Sequence, residues 1–195
     1  MHNRDTEFLY EIGTLRFIQR TWKQFIGSNF ANLAEHTMRV IWTALIIARG
    51  EKKADTAKIV KMALVHDITE SRTGDVHYIS RLYTKRNEDQ AIKDILVDTS
   101  IADEFLALYH EYEQRQTVEA KIVKDADNIE VDLELVEQKA RGNPLSDKWV
   151  PMRKKVRSTL FTETAKKLFD EIYQTDPDAW HINAPNRFSA GDWKS

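Results

Sequence analysis

Cysteine is absent from this 195-residue chain, glycine occurs only six times and proline four. The first absence excludes disulfides, thiolate nucleophiles and cysteine-held metals. It also fits a reducing compartment, and the expectation is a cytoplasmic protein. Scarce Gly and Pro, with no alternating strand-like segments, exclude a turn-rich β architecture. No sign of charge dominates: 29 Lys and Arg face 31 Asp and Glu, net −2, mixed along the chain. That balance argues against a nucleic-acid stripe or a polybasic membrane anchor. The longest apolar run, residues 40–48, is too short and interrupted to cross a bilayer. The opening MHNRDTEF holds charges and no apolar core, so no signal peptide is visible. With 42 % apolar and 31 % charged residues, the remainder is the composition of one globular domain with room for a sizeable core.

Helical spacing runs through nearly the whole chain. Asp5 or Thr6 can cap a first helix carrying Phe8, Leu9, Ile12, Leu15 and Ile18. Residues 27–32 read as a loop, and Asn32 can cap a second helix with Gly50 just past its end. Asp55 can cap a third that runs through Ile59, Val60, Ala63 and Leu64 into His66 and Asp67, with Gly74 as its breaker. A polar stretch, 84–89, precedes a helix through Ile92, Ile95 and Leu96, and Ser100 starts another through Phe105, Leu106, Leu108 and Tyr109. Thr117 caps a long helix that stops at Gly142-Asn143-Pro144. Pro151 sits in the first turn of the next piece, and a last helix covers 162–174. Beyond Asp176 the chain is irregular, yet Trp180, Phe188 and Trp193 make it too aromatic for a solvated tail. It is expected to pack on the domain or on a partner chain. The fold class is therefore all-α: one helical domain over 1–175 and an irregular tail over 176–195.

One constellation carries chemistry. His36 precedes the pair His66-Asp67 by thirty residues, and Asp127 follows it by sixty. Two imidazoles and two carboxylates suit one divalent metal of intermediate hardness, and a helical bundle can gather them from different helices. His36 begins one helix, and Asp127 lies among Val123 and Val131 on the core side of another, where an acid is costly unless paired or metal-bound. Glu70 follows His66 by four positions and Asp67 by three, sharing their face if the helix continues. Asp75 lies just past the break at Gly74. Glu35 either points away or supports His36 from behind. Glu130, Asp132 and Glu134 read as a solvated helix face.

The pieces RTW (20–22), NLAEH (32–36), HDITESRTGD (66–75) and EYEQRQTVEAKIVKDADNIEVDLEL (111–135) resemble the HD-domain metal-dependent phosphohydrolases, and more closely their 5′-deoxynucleotidase branch. The resemblance runs from about residue 15 to 142. It implies an HD-type helical bundle that holds one divalent metal through His36, His66, Asp67 and Asp127, not Asp125, two positions away on the other side of the helix. Mn, Co, Fe, Ni, Zn and Mg all suit such a set. It implies hydrolysis of a nucleotide phosphomonoester. Glu70 would orient or deprotonate the attacking water, or protonate the leaving 5′-oxygen. Asp75 would accept a hydrogen bond from a sugar hydroxyl or support a nearby base. Trp22 would lie against the sugar and exclude a ribose 2′-hydroxyl, and Arg20, with Arg16 as competitor, would contact phosphate. The bland alternatives are a core tryptophan and an exposed helix charge. His77 and His110 read as surface residues, although some HD proteins use extra histidines for a second metal. A homodimer is implied.

The competing readings are an HD enzyme acting on nucleoside triphosphates or cyclic nucleotides, and a non-catalytic metal-bound regulatory or interaction module. The motif region is not especially basic, which weighs against three phosphates, and the GYP hallmark of cyclic dinucleotide hydrolases is absent. Unliganded acids at Glu70 and Asp75 weigh against a purely structural metal.

Overall fold

In the computed structural model, which describes residues 3–27 and 29–184, the chain is helical and no strand forms among the described residues. In order come α1 (Asn3–Gly13), α2 (Lys23–Ile26), α3 (Leu33–Gly50), α4 (Thr56–Val65), α5 (Glu70–Thr73), α6 (Glu88–Leu96), α7 (Ala102–Gln114), α8 (Val118–Ala140), α9 (Val150–Thr159), α10 (Glu163–Ile172) and α11 (Ala179–Ile182). No helix is long and apolar enough to cross a membrane.

Local signals set most of the boundaries. Asn32 and Glu35 form a reciprocal capping box at the start of α3. That bond occupies Glu35, so it is not the residue behind His36. Asp55, Asn87, Thr117 and Thr162 each accept from a backbone N–H three residues on. The first helix begins earlier than its expected caps, and the Asp5 carboxylate instead accepts from the Ser100 N–H. That contact holds Ser100 ahead of α7, which begins at Ala102. Gly50 is not a left-handed residue beyond α3; it is the helix's last residue, and a Cβ there would collide with the Thr164 side chain. Its smallness lets the end of α3 approach the start of α10.

The centre is α3 against α8, with α4 packed on both, α7 over α4 and α8, and α10 closing α8 and α3. Val40, Ala44 and Ile47 on α3, Ile59 and Met62 on α4, and Ile122, Ala126 and Ile129 on α8 are fully buried. A large-to-small change there, such as Ile122→Ala, costs about 2–5 kcal/mol. Beside this core Ile26, Phe30, Ala31, Val131 and Leu135 make a second cluster, on which Trp22 and Trp149 pack.

Two further expectations change. The helix through His66 and Asp67 does not continue: α4 ends at Val65, and a turn with i→i+3 bonds, Ile68 N–H to Val65 O and Glu70 N–H to Asp67 O, leads into α5. Consecutive residues of a continuous helix diverge by about 100°, whereas this turn lets His66 and Asp67 face one centre. The segment after α10 is not wholly irregular, because it forms α11, on which Trp180 is 78 % exposed. Phe188 and Trp193 lie outside the described residues.

Candidate active site

His36 enters the core from the first turn of α3, His66 and Asp67 from the turn after α4, and Asp127 from α8. One donor atom of each lies within 4.8 Å of all the others. His36 Nε2 is 3.4 Å from His66 Nε2, 3.5 Å from Asp67 Oδ2 and 3.3 Å from Asp127 Oδ1, and His66 Nε2 is 3.2 Å from Asp67 Oδ2.

The far side of each ring shows what this centre accepts. His66 Nδ1 is 2.7 Å from the Ala63 carbonyl, which can only accept, so Nδ1 carries a proton and Nε2 is the atom turned to the centre. His36 Nδ1 is 2.7 Å from Glu130 Oε2, which polarises the ring in the same sense. Two nitrogens and two carboxylate oxygens thus converge, and only a cation satisfies them together. Burial and then Arg20 depress the pKa of His36, but Asp127, Asp67 and Glu130 outweigh them and hold it well above the ordinary imidazole value. Burial pushes Asp67 and Asp127 up, yet the histidines for Asp67, and Lys124 and His36 for Asp127, keep both well below the usual carboxylate range. The position demands positive charge, whether proton or metal, and the donor set fits a divalent ion.

Glu130 is therefore not solvated. It is 1 % exposed and orients a ring of the centre. Asp132 and Glu134 are buried as well, Asp132 on Arg153 and Tyr173, Glu134 near Arg39 and Gln138. Periodicity carried the signal: Glu130 is four residues beyond Ala126 and seven beyond Val123, both fully buried.

Around the cluster opens a polar cavity of about 200 Å³ lined by Arg20, Glu70, Tyr109 and Tyr112 among others. Five basic side chains reach it (Arg20, Arg81, Arg86, Arg115 and Lys124), more than the motif region showed in sequence, beside five acidic ones. Arg20 is buried, not an exposed helix charge; its Nη1 donates to Asp67 Oδ2 at 3.4 Å. Arg16 is exposed, and its guanidinium lies over the Phe17 ring. Glu70 is buried with Oε1 accepting from Arg86 at 3.1 Å and Oε2 without a partner. Burial first, then Asp67 and Asp75, raises its pKa to about 9.

A second cavity of about 170 Å³ adjoins the first through Arg20 and Arg81, and is walled by Trp22, Phe25, His77 and Tyr78. Trp22 stacks near Phe30 and meets Trp149 edge-on at 4.7 Å, so its ring is fixed. Asp75 lies at the junction, accepting from the Thr21 N–H at 2.7 Å and its hydroxyl at 3.1 Å. His77 bonds Ser80 and packs on Phe25, and His110 is half-buried beside Asp89; neither joins the four-residue cluster. Sequence reasoning missed Arg81, Arg86, Arg115, Lys124 and both tyrosines, which no local pattern links.

The model of the HD domain family matches residues 12–169. The 5′-deoxynucleotidase of Dictyostelium discoideum is 30 % identical over 155 residues, spanning 73 % of this chain and 81 % of that one. The 5′-deoxynucleotidase of Homo sapiens is 31 % identical over 137 residues, spanning 67 % and 66 %. A conserved hypothetical protein from Pyrococcus furiosus has the same fold, with a TM-score of 0.71 at 24 % identity over 87 % of this chain and 99 % of that one. A predicted metal-dependent phosphohydrolase from Magnetospirillum magnetotacticum superposes with a TM-score of 0.62 at 24 % identity, over 88 % and 94 %. With the family match spanning most of its length and its paired His66 and Asp67 at the heart of an all-helical bundle, the chain belongs to the HD-domain family.

Proposed function

We propose that this chain is a metal-dependent 5′-deoxynucleotidase, which hydrolyses deoxynucleoside 5′-monophosphates to deoxynucleoside and phosphate in the cytoplasm. The observation that carries the reading is the pairing of cavities: a polar one at the four-donor cluster and an aromatic one beside it, joined at Arg20 and Arg81. A phosphoryl group suits the first and a nucleoside the second. The family relatives named 5′-deoxynucleotidase point the same way. The functional unit is residues 1–175, with 176–195 an appended tail.

His36, His66, Asp67 and Asp127 would hold one divalent ion. When bound, such an ion lowers the pKa of water and withdraws charge from the phosphoryl group. The protein's own residues do the rest. Arg20 donates to phosphoryl oxygens, and Asp67 and Asp75 hold it in place. Glu70, buried with Oε2 unpartnered and its carboxyl pushed up by burial and then by Asp67 and Asp75, suits the proton donor to the leaving 5′-oxygen. Asp75, already committed to Thr21, fixes the segment that carries Arg20 and Trp22 and keeps lone pairs for a sugar hydroxyl. The fixed Trp22 ring closes the sugar's 2′ side. Five basic side chains line the cavity beside five acidic ones, and the raised pKa of Glu70 leaves the bases in slight excess for an anionic group.

The chain also pairs with a second copy. On α3 the large apolar side chains Met38, Trp42 and Ile46 are 59 %, 62 % and 57 % exposed at four-residue spacing. Glu35 and Arg49, both exposed, sit seven residues on either side of Trp42. An antiparallel α3 pair about a twofold axis at Trp42 sets Met38 against the partner's Ile46 and Glu35 against the partner's Arg49. Trp42→Glu should convert a dimer to a monomer in sedimentation; a wild-type monomer removes this point.

Phosphate release from deoxynucleoside and nucleoside monophosphates, triphosphates and cyclic nucleotides, with Mn²⁺, Co²⁺, Mg²⁺ or EDTA, tests the function. Release from deoxynucleoside monophosphates that needs metal and spares ribonucleotides is expected. Release only from triphosphates or cyclic nucleotides would replace this reading with one of its enzymatic competitors. A bound metal with no turnover would favour the non-catalytic module.

A further inference from the structure

Four buried side-chain polar atoms lack a hydrogen-bond partner among the described residues: Arg20 Nε, Glu70 Oε2, Arg115 Nη1 and Glu130 Oε1. The first three belong to residues lining one cavity, the polar one at the metal-ligand cluster. Unsatisfied buried donors are costly, and a cavity that collects them is shaped for a polar occupant. Arg20 and Glu70 already have roles in the proposed reaction; Arg115 has none.

Arg115 is held as a preset donor. It ends α7 in the left-handed region at φ 54°, where glycine is usual. Its guanidinium carbon lies 3.4 Å from the centroid of the Tyr112 ring. Nη2 donates to Glu113 Oε1 at 3.2 Å, leaving Nη1 unused. The other added cations are engaged: Arg86 with Glu70, the Gly74 carbonyl and Glu88, Lys124 with Asp127, and Arg81 through Nε with the Val76 carbonyl. The stacked ring leads back to the cluster, because the Tyr112 hydroxyl is 3.5 Å from Asp127 Oδ2.

We propose that Arg115 is a second phosphate-binding arginine, its incompletely bonded guanidinium donating to a phosphoryl oxygen in the cavity that Arg20 also lines. Two rigid guanidinium forks match a tetrahedral oxyanion, and the stack and ion pair spare Arg115 most of the ordering cost on binding. The assignment rests on the phosphomonoesterase reading for its substrate, but not for its probe, which is inorganic phosphate.

The test is calorimetric titration of the metal-loaded protein with inorganic phosphate, for wild type, R115Q, R115K and R115G, with melting midpoints and steady-state kinetics on a deoxynucleoside monophosphate. R115Q and R115G should bind phosphate about 10- to 100-fold more weakly, with R115K between them and wild type. KM should rise by the same factor while kcat changes less. R115G should melt no lower than R115Q, because it relieves the left-handed backbone. Phosphate affinity of R115Q within twofold of wild type, or no phosphate binding by wild type, overturns the assignment. So does a fall in melting midpoint that tracks the affinity loss through all three variants, which would make Arg115 a structural residue. Arg115-dependent phosphate binding without turnover of any deoxynucleotide would leave Arg115 assigned and remove the deoxynucleotidase reading.

Discussion

Helix α8 turns acids toward the interior along its length, and the neighbours of Asp132 and of the half-buried Asp127 treat them differently. Around Asp132 everything is paired. Its oxygens accept from Arg153 Nε at 2.9 Å, Arg153 Nη2 at 2.8 Å and the Tyr173 hydroxyl at 2.7 Å, while Arg153 also reaches the Asn128 carbonyl. One turn closer to the helix start, Asp127 and its neighbours are left incomplete. Nε2 of His36 and Nε2 of His66 face each other at 3.4 Å, and Arg20, Glu70 and Arg115 keep unpartnered atoms. Both sets are charged and buried, so burial alone does not mark function. Completeness separates them: a finished network braces α8 against α9 and α10, and an unfinished one waits for a ligand.

The largest expected effect breaks the unfinished set. Asp67→Ala should lower turnover of the preferred nucleotide by about thousandfold or more, since a bound ion contributes several kcal/mol of transition-state stabilisation. Metal content by elemental analysis should fall with it. Stability in EDTA should fall less than in the next variant, because Asp67 has acidic neighbours in Glu70 and Asp127. Turnover within tenfold of wild type would remove Asp67 from the metal site.

The finished set should respond in the opposite way. Arg153→Met strands the Asp132 carboxylate in the core and should cost about 3–5 kcal/mol, read from urea unfolding, with turnover per folded molecule unchanged. Adding Asp132→Leu should recover most of that loss, because an apolar pair of similar volume often replaces a buried ion pair without penalty. If the double variant stays as unstable as the single one, the network does more than satisfy itself.

These differences also mark what the sequence could say. Caps at Asn32, Asp55 and Thr117 were legible because each depends on a side chain and an N–H three residues apart. The four-donor cluster was legible through the family resemblance, since Asp125, two positions away, is buried more deeply than Asp127 and only the family pattern sets it aside. The break after Val65 was not, since His66 and Asp67 follow a good helical pattern and only the tertiary centre demands that both face inward. Glu130 and Asp132 were misread although Glu130 repeats the buried spacing of Val123 and Ala126, because the partners that make a buried acid tolerable, His36 and Arg153, come from other helices. The basic rim of Arg81, Arg86, Arg115 and Lys124 comes from separate segments, and no spacing rule gathers it.

Glu70 gives the next effect, about a hundredfold loss of kcat in Glu70→Gln with metal retained. Its pKa is raised from 4.5 to about 9 by burial and then by Asp67 and Asp75, which also sets a sign for stability. For an acid with a raised folded pKa, the neutral form is the one the fold favours. Its contribution is fully present below pH 4.5 and is lost as pH rises through about 9. In EDTA, wild-type unfolding free energy should therefore decline across that window relative to Glu70→Gln. Parallel curves for the two proteins would mean that Glu70 ionises normally.

The smallest effect sharpens the division between the polar cavity and its aromatic neighbour. Trp22 touches Phe30 and Trp149, which belong to or pack on the second apolar cluster, and among the described residues its ring pairs with neither His36 nor His66. Trp22→Ala should therefore leave metal content and phosphate affinity intact. What should change is the ratio of kcat/KM for a deoxynucleotide to that for its ribonucleotide counterpart, by about tenfold, through admission of the 2′-hydroxyl. A steric wall discriminates one added hydroxyl only modestly, so a larger change is not expected. Should phosphate affinity fall along with the sugar ratio, the two cavities are mechanically one, and the wall of Trp22, Phe25 and Tyr78 would have to be read as part of the phosphate site.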